Sequence, residues 1–188
     1  MQSGKKATRY KFKTAKGLKN KLRLLIGNEQ YIAQQGISLP RYQKRPFDLR
    51  VLVQKNGKGR WSITGIGARV AGSRSITTHV PRGGTIEDPQ MLLQHVFGVD
   101  TAAIILRQAS KTALTIAKQI EKGQRTRLGE MSMDLGVDAQ GHLWFFEANA
   151  KPMKFDEPHI REKSLENTVL YCKFLAKKVR TKSKAVQP

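Results

Sequence analysis

GEMSMDLGVDAQGHLWFFEAN, residues 129–149, is the stretch of sequence that decides the fold. Its two apolar-rich segments, Leu128 to Val137 and His142 to Asn149, are separated by the turn-forming residues DAQG at 138–141. Strand-forming runs joined by a short turn that contains Asp and Gly are typical of an antiparallel hairpin. The sequence therefore predicts two paired strands at this position.

The register of this hairpin decides which side chains share a face, because side chains alternate along a strand. With a two- or four-residue turn, Asp134 is expected to face Phe145 and Ser132 to face Glu147. Asn149 then joins the polar face, where Asp134 and Glu147 are diagonal neighbours roughly 7 Å apart at the backbone. The opposite face is apolar and is the expected core face; it carries Met131, Met133, Leu135, Trp144, Phe146 and Ala148.

The polar face of the hairpin combines two carboxylates, Asp134 and Glu147, with the carboxamide of Asn149. Carboxylates held this close repel each other unless a positive charge lies between them. Hard oxygen ligands of this kind suit Mg²⁺, which completes its shell with water and substrate phosphates. The residue pattern alone is more typical of a solvated strand face whose carboxylates pair with Lys and Arg.

The remainder of the chain mixes helices with further strands. Three more strands are predicted, at Gln30 to Gln35, Phe47 to Gln54 and Arg60 to Val70, and Ala71 to Gly84 is expected to be a loop. Helices are predicted over Leu18 to Ile26 with a stop at Gly27, from Asp88 to Gly98, from Asp100 to Gly123, and from Arg161 to Val179. Hairpins interspersed with helices favour an α+β protein with antiparallel sheet.

The last predicted helix has an apolar stripe, which we expect to be its buried face. The stripe consists of Leu165, Val169, Cys172, Ala176 and Val179. The residues after it, 180–188, are expected to form a frayed basic tail.

Composition indicates a globular, strongly basic chain. Its 35 Lys and Arg residues outnumber 14 Asp and Glu, which gives a formal net charge of +21 over 188 residues. Such an excess favours polyanionic partners such as nucleic acid, an anionic lipid or polymer, or phosphorylated small molecules, although a solvated basic surface is an equally simple explanation. A single cysteine excludes an intrachain disulfide. No apolar run is long enough to span a membrane, so a cytoplasmic protein is expected.

The hairpin resembles the metal-binding hairpin of ATP-grasp enzymes, in which an Asp stands thirteen positions before the Glu of a Glu-x-Asn motif, as Asp134 does here. In that family the Glu bridges two Mg²⁺ ions, and the Asp and the Asn each complete one site. The resemblance therefore implies Asp134, Glu147 and Asn149 as metal ligands, with Mn²⁺ able to replace Mg²⁺.

Upstream motifs extend the resemblance. The segment Gln34-Gln35-Gly36-Ile37 is similar to the ATP-grasp hinge, whose backbone groups bind the adenine edge of ATP. FDLRV at 47–51 resembles the family's Asp-Ile-Arg segment, which implies that Arg50 lies near the nucleotide phosphates. With RPFDLRVLVQ, TGIGARVAG and FEANAKP in this order, the chain from Tyr31 to Leu175 most resembles the YheC/YheD family, ATP-grasp proteins named as endospore coat-associated in Firmicutes.

Two further features resemble the RimK-like branch of the ATP-grasp superfamily. Arg69 and the turn Arg82-Gly83-Gly84 match arginine and RGG features that contact substrate or phosphate there. The chain departs from that branch at His79, where relatives tend to have Asn. The implied catalytic cations are Arg50, Arg69 and Arg82, with Gly83, Gly84 and Lys151 as candidate substrate contacts.

The resemblance implies the C-terminal part of an ATP-grasp fold and the chemistry of an ADP-forming ligase. ATP would phosphorylate a carboxylate, and an amine or thiol would displace the phosphate. Neither the carboxylate nor the nucleophile is identified. A spore coat or cell-envelope component and the forming endospore are the implied partner and location, and specific nucleic-acid binding is not expected.

The resemblance also suggests a division of the chain. Residues 1–40 would be the remainder of a central subdomain with the adenine hinge, 41–180 the C-terminal subdomain with the metal site, and 181–188 a basic tail. ATP-grasp proteins place a phosphate-binding Lys and a Gly-rich loop upstream of the hinge, and none precedes Gln34, so we expect a chain that starts partway through the module. The alternative is a non-catalytic ATP-grasp module that binds a polyanion or a spore-surface partner.

Overall fold

The computed structural model describes residues 2–3, 6–7, 10–72, 78 and 83–184. The chain forms two compact units, Met1–Ile37 and Ser38–Pro188. In order, the strands are β1 (Gln2–Ser3), β2 (Lys6–Ala7), β3 (Arg41–Tyr42), β4 (Arg45–Lys55), β5 (Trp61–Val70), β6 (Thr85–Glu87), β7 (Glu130–Val137) and β8 (Leu143–Asn149). The helices are α1 (Ala15–Ile26), α2 (Pro89–Phe97), α3 (Val99–Gln124) and α4 (Pro158–Lys184).

The first unit contains the pair β1–β2 and helix α1. Thr14 caps α1 by accepting a hydrogen bond from the backbone N–H of Gly17, and Gly27 ends it at a positive φ of 56°, which confirms the predicted stop. The predicted strand from Gln30 to Gln35 is wrong. This segment is irregular, and Ile32 is 94% exposed, because none of the described strands pairs with it.

The second unit is built on a six-stranded antiparallel sheet. Its main path runs β6-β5-β4-β7-β8, and β3 also pairs with β4. Every pairing is antiparallel, and helices flank the sheet, so the predicted α+β class is confirmed.

One face of the sheet forms the core against α2 and α3. Its main buried side chains are Phe47, Leu49, Val51 and Val53 of β4 and Met131, Met133, Leu135 and Val137 of β7. Helix α3 contributes Ala102, Ile105, Ala109, Ala113 and Ala117, a mostly small-residue stripe that lets the helix lie close to the sheet. Asp88 caps α2 as predicted, but Asp100 lies inside α3, whose N-cap is Gly98.

The other face of the sheet is crossed by α4, which approaches it over glycines. A Cβ atom on Gly65 would lie 2.5 Å from Cγ1 of Ile160, and one on Gly59 would lie 2.5 Å from the ring of Phe174. Gly129 likewise meets the ring of Tyr171. Gly65 lies in β5, and Gly59 and Gly129 lie just before β5 and β7. We call these three residues, on which the helix lies, the glycine strip of the sheet.

The buried face of α4 is not the one that the apolar stripe predicted. Ile160, Asn167 and Phe174 face the sheet, whereas the stripe itself is exposed, with Leu165 at 70% and Val169 at 52% exposure. The prediction was wrong because the glycine strip of the sheet, rather than the helix's own apolar pattern, decides which side of α4 is covered. The helix also continues to Lys184, past the predicted end at Val179.

A tight turn joins β3 to β4. Tyr42 pairs with Arg45, so the turn consists of Gln43 and Lys44, and both have positive φ angles, 48° and 67°. This is the geometry of a type I′ turn, which normally uses Asn and Gly. The guanidinium of Arg41 donates to the carbonyl of Lys44 at 2.6 Å and helps to hold the turn.

Candidate functional site

The hairpin formed by β7 and β8 has a different register from the one expected. The backbone N–H of Asp138 donates to the carbonyl of His142, which leaves a three-residue loop closed by Gly141 at φ 83°. A bulge between Leu135 and Asp134 then shifts the pairing, so that Asp134 pairs with Glu147. The odd loop length and the bulge together overturn the expected pairing of Asp134 with Phe145.

The new register brings the candidate metal ligands closer together. Asp134 is directly opposite Glu147, and Ser132 is opposite Asn149, so the four polar side chains still share one face as expected. Directly opposed residues have Cα atoms about 4.5–5.5 Å apart, so the two carboxylates are nearest neighbours rather than diagonal ones.

The same shift removes two aromatic residues from the expected core face. Trp144 is 37% exposed, and its indole N–H donates to Asp138 at 2.9 Å. Phe146 is the residue at the bulge, and its ring covers Gly136. The members of β8 that pack on the core are instead Leu143 and Ala148.

A row of four paired residues crosses the sheet at the centre of the polar face. Gly67 of β5 pairs with Arg50 of β4, Arg50 with Asp134 of β7, and Asp134 with Glu147 of β8. Neighbouring strands lie about 4.8 Å apart, so one cation and two carboxylates fall on adjacent strands. Even-numbered side chains of β4 point to this face because the odd-numbered ones are buried in the core.

Arg69 links two carboxylates beside this row. Its Nε and Nη2 donate to the two carboxylate oxygens of Asp48 at 3.1 and 3.0 Å, which is a bidentate pair. Nη2 also lies 2.8 Å from Oδ2 of Asp134. The hydroxyl of Thr78 donates a further hydrogen bond to Asp48. The guanidinium is thus held by a buried carboxylate on one side and directed at Asp134 on the other.

The charges of this group are set by burial and by pairing. Burial raises the pKa of Asp48 above its ordinary value, and the Arg69 guanidinium and the Thr78 hydroxyl offset only part of that effect. Burial of Arg69 opposes its charge, but the carboxylates of Asp48 and Asp134 outweigh burial and raise the pKa of Arg69. Arg69 is therefore a permanent positive charge.

Arg50 presents its guanidinium between the row and the segment before α4. Its Nε lies 3.9 Å from Oδ1 of Asp134, and Nη2 lies 3.5 Å from the hydroxyl of Ser132. The guanidinium stands over the ring of Phe155, 5.0 Å from the centroid, in a cation–π arrangement. Its Nε is buried without a hydrogen-bond partner among the described residues.

The remaining candidate ligands lie at the solvent edge. Within the part of the chain that the structure describes, the exposed carboxylate of Glu147 has no hydrogen bond or ion pair. Asn149 accepts a hydrogen bond from the backbone N–H of Lys151 at 2.9 Å. No three His, Cys, Asp or Glu residues form a metal-binding group in the described ranges. The oxygen donors of Asp134, Glu147 and Asn149 fit a hard divalent cation, which would share Asp134 with Arg69.

Other predicted site residues lie elsewhere. Gln34 to Ile37 belong to the first unit, and Gln34 and Gln35 are exposed. Arg82 and His79 lie outside the described residues. Gly83, at φ 84°, and Gly84 lead into β6, and the exposed Lys151 follows β8.

Two residues of the site, Asp48 and Phe155, were not predicted from the sequence. Asp48 could have been found, because the β4–β5 hairpin was predicted and Asp48 alternates with Arg50 on one face, opposite Arg69. Phe155 lies in the irregular segment between β8 and α4, where periodicity gives no indication of direction.

Comparison with known proteins matches the chain to one family. A model described as YheC/D like ATP-grasp matches residues 1–175. The endospore coat-associated protein YheD of Bacillus subtilis (strain 168) is 32% identical over 164 residues, which are 84% of this chain. The chain spans only 35% of the length of that protein.

Among solved structures, the chain is similar to N5-carboxyaminoimidazole ribonucleotide synthetase from Thermotoga maritima. The TM-score is 0.41 at 12% sequence identity, over 84% of this chain and 35% of the other. In the described part of the chain, every helix is too short or too polar to cross a membrane.

Proposed function

The chain belongs to the YheC/D-like ATP-grasp family, and from this membership we propose that it binds a magnesium–nucleotide complex on the polar face of its sheet. The observation that carries the proposal is the row Arg50, Asp134 and Glu147 on three adjacent strands. It sets a cation beside two carboxylates, the charge arrangement that a metal–phosphate complex requires.

The metal is proposed to bind Asp134, Glu147 and Asn149. When bound, Mg²⁺ would neutralise phosphate charge and act as a Lewis acid. Asp134 is held in place by Arg69, whereas the exposed Glu147 is free of protein partners in the described residues and supplies the adaptable ligand. Asn149 is oriented by its hydrogen bond from Lys151, and its amide oxygen retains a second lone pair.

The cations are proposed to bind phosphate oxygens. The guanidinium of Arg50 is partly exposed and makes only long polar contacts among the described residues, 3.5 Å to Ser132 and 3.9 Å to Asp134, so it is the best candidate for a direct contact. Arg69 is committed to two carboxylates, so we assign it to orienting Asp134 rather than to gripping phosphate. Arg82, Gly83, Gly84 and Lys151 remain proposed substrate contacts.

The adenine is proposed to bind the backbone of Gln34, Gln35, Gly36 and Ile37. The proposed reaction is that of an ADP-forming carboxylate–amine or carboxylate–thiol ligase, with an acyl-phosphate intermediate. Because the chain spans about a third of YheD, this activity stays a proposal. The name of YheD suggests a role at the spore coat or cell envelope.

The metal site is tested by titrating the full chain with Mn²⁺ and a non-hydrolysable ATP analogue. Free Mn²⁺ is followed by its electron paramagnetic resonance signal, and nucleotide binding by calorimetry. Glu147→Gln removes a charge at constant shape and should weaken Mn²⁺ binding at least about tenfold, since the loss even of a group that only supports a metal ligand typically costs about 10–100-fold in metal affinity. Glu162→Gln, an exposed change on α4, is the matched control. Equal metal binding by both variants would overturn the proposed site.

A second candidate function is polyanion binding without turnover, which the net charge of +21 favours. Retention on an immobilised polyphosphate that falls steeply with salt would support it, since counterion release governs such binding. Glu147→Gln removes a negative charge, so it should preserve this retention while it weakens Mn²⁺ binding, which separates the two functions.

A further inference from the structure

A cavity lined in part by Phe155 lies beside the sheet residue Leu52 and the first turns of α4. It has a volume of about 280 Å³. Leu52 of β4 and Glu130 of β7 form its floor, the segment 152–155 forms one wall, and Arg161, Ser164, Leu165 and Thr168 of α4 form the other. None of its lining residues belongs to the proposed metal or adenine contacts.

Two polar side chains that line the cavity, Glu130 and Ser164, are hydrogen-bonded to the neighbouring buried Gln54. The side-chain amide of Gln54 donates to the hydroxyl of Ser164 at 2.9 Å and to Glu130 at 3.2 Å. Its carbonyl oxygen accepts from Thr64 at 2.8 Å. A ligand in this cavity therefore finds little unpaired hydrogen-bonding capacity at the floor, and its body should be apolar.

The walls and the rim have a different character. The apolar part of the lining consists of Leu52, Met153, Phe155 and Leu165. Met153 and Leu165 are 68% and 70% exposed. The rim carries Lys154 and Arg161, whose side chains make no hydrogen bond or ion pair within the described residues. The one carboxylate present, Glu130, is engaged by Gln54. Gln54 is neutral, so Glu130 keeps its negative charge, and the two cations Lys154 and Arg161 against this one anion leave a net positive charge around the cavity.

Phe155 connects this cavity to the proposed nucleotide site. One part of its side chain lines the cavity, and its ring supports the guanidinium of Arg50 at 5.0 Å. Phe155 is only 6% exposed, so a ligand that displaces it must also disturb Arg50.

We infer that this cavity, which we call the Phe155 cavity, binds a small carboxylate with an apolar body. The body contacts Leu52, Phe155 and Leu165, and the carboxylate pairs with Arg161 or Lys154. Its volume is at the lower end of the range of about 300–1,000 Å³ typical of ligand pockets, so the ligand must be small. Binding itself does not depend on the proposed function. Such a ligand could be the acid that the enzyme activates or a regulator of Arg50.

The site is tested with hexanoate, benzoate and 4-methylpentanoate, using saturation-transfer NMR and calorimetry on the full chain. Leu165→Trp fills the cavity and should abolish binding, whereas Val169→Trp, one turn further along α4 and also exposed, should not. Arg161→Gln should weaken binding by about tenfold, the effect of losing one charge-assisted hydrogen bond. Lys163→Gln is the control for charge.

Two further measurements, of hydroxamate formation and of nucleotide affinity, distinguish a substrate from a regulator. With Mg-ATP and hydroxylamine, an activated acid takes the γ-phosphoryl group on its carboxylate oxygen and releases ADP. Hydroxylamine nitrogen then displaces phosphate and gives a hydroxamate. Hydroxamate formation identifies a substrate, and an altered nucleotide affinity without it identifies a regulator.

The outcomes distinguish this inference from the proposed function. Failure of all three acids to bind, or equal binding by Leu165→Trp and the parent chain, overturns the Phe155 cavity as a ligand site. Carboxylate binding in a chain that binds no Mn²⁺ or nucleotide would sink the proposed function and leave this inference standing.

Discussion

Arg69 lies 2.8 Å from Asp134, so a carboxylate that faces the proposed metal site is already paired with a buried guanidinium. Arg69 cannot leave freely, because Asp48 holds it by two hydrogen bonds. A divalent cation that uses Asp134 must therefore share this carboxylate with Arg69 or displace the guanidinium. The pairing lowers the affinity for bare metal and favours a metal that arrives with phosphate charge.

Arg69→Met should make the stability of the fold depend more strongly on Mg²⁺ binding. Removal of the guanidinium leaves Asp48 and Asp134 buried without their cation, a change that typically costs about 3–5 kcal/mol. Mg²⁺ can replace part of that charge, so Mg²⁺ should raise the melting temperature of the variant more than that of the parent chain. Thermal unfolding with and without Mg²⁺ measures this. Arg60→Met is the exposed control, and an equal Mg²⁺ response in all three proteins would refute the pairing argument.

Gly65→Ala and Gly67→Ala should have very different effects, although the two glycines lie on the same face of β5. A methyl group on Gly65 meets the buried Ile160, which has no free space, and overpacking of this kind costs about 1–3 kcal/mol. A methyl group on Gly67 meets the carboxylate end of Glu157, a partly exposed side chain that can move away. Urea unfolding should show a clear loss for the first variant and little for the second. Ile160→Val should partly rescue Gly65→Ala.

The carboxyl group of Asp138, at the tip of the β7–β8 hairpin, should have an unusually low pKa. The indole N–H of Trp144 and then backbone N–H groups of the loop lower the pKa of Asp138 to about 2. A depressed carboxyl pKa stabilises the fold above the unfolded pKa of about 3.9, and this stabilisation is lost as the pH falls towards 2. Carboxyl-detected NMR should find this pKa, and Trp144→Phe should raise it. An unchanged Asp138 titration in Trp144→Phe would contradict the assigned cause.

Lys44→Gly should stabilise the protein. Lys44 has φ 67° in a turn of two non-glycine residues, and a left-handed conformation costs an L-residue about 1–2 kcal/mol relative to glycine. The hydrogen bond from Arg41 goes to the backbone carbonyl of Lys44 and survives the change. Urea unfolding should show a gain of about 1 kcal/mol. Lys58→Gly, in a turn position without positive φ, should bring no gain.

Local patterns in the sequence predicted the hairpins, most helices and the shared face of Asp134, Glu147 and Asn149. The register of β7 and β8 was wrong because an even turn was assumed, although Gly141 is placed where a three-residue loop needs a left-handed residue. The bulge beyond Asp134 has no local signature, since it depends on how β8 meets the rest of the sheet.

The prediction for α4 failed for a longer-range reason. Its apolar stripe, which includes Leu165 and Val169, has the spacing expected of a buried helix face, yet this side of the helix is exposed. Glycines in β5 and in the turns around it determine which side of α4 is covered. Gly65, for example, contacts Ile160 and precedes it by more than 90 positions. No window along one helix contains that information. The contact between Phe155 and Arg50 is hidden in the same way.

The glycines beneath α4 also constrain how this family can diverge. Gly59 is matched to Phe174, Gly65 to Ile160 and Gly129 to Tyr171, and in each pair the missing side chain of one residue makes room for the other. A larger residue on the sheet is tolerated only where the helix residue becomes smaller. Homologous chains should therefore show covariation within these pairs, and substitution at one member alone should be selected against. The exposed Leu165 and Val169, which have no such partner, should drift independently of the sheet.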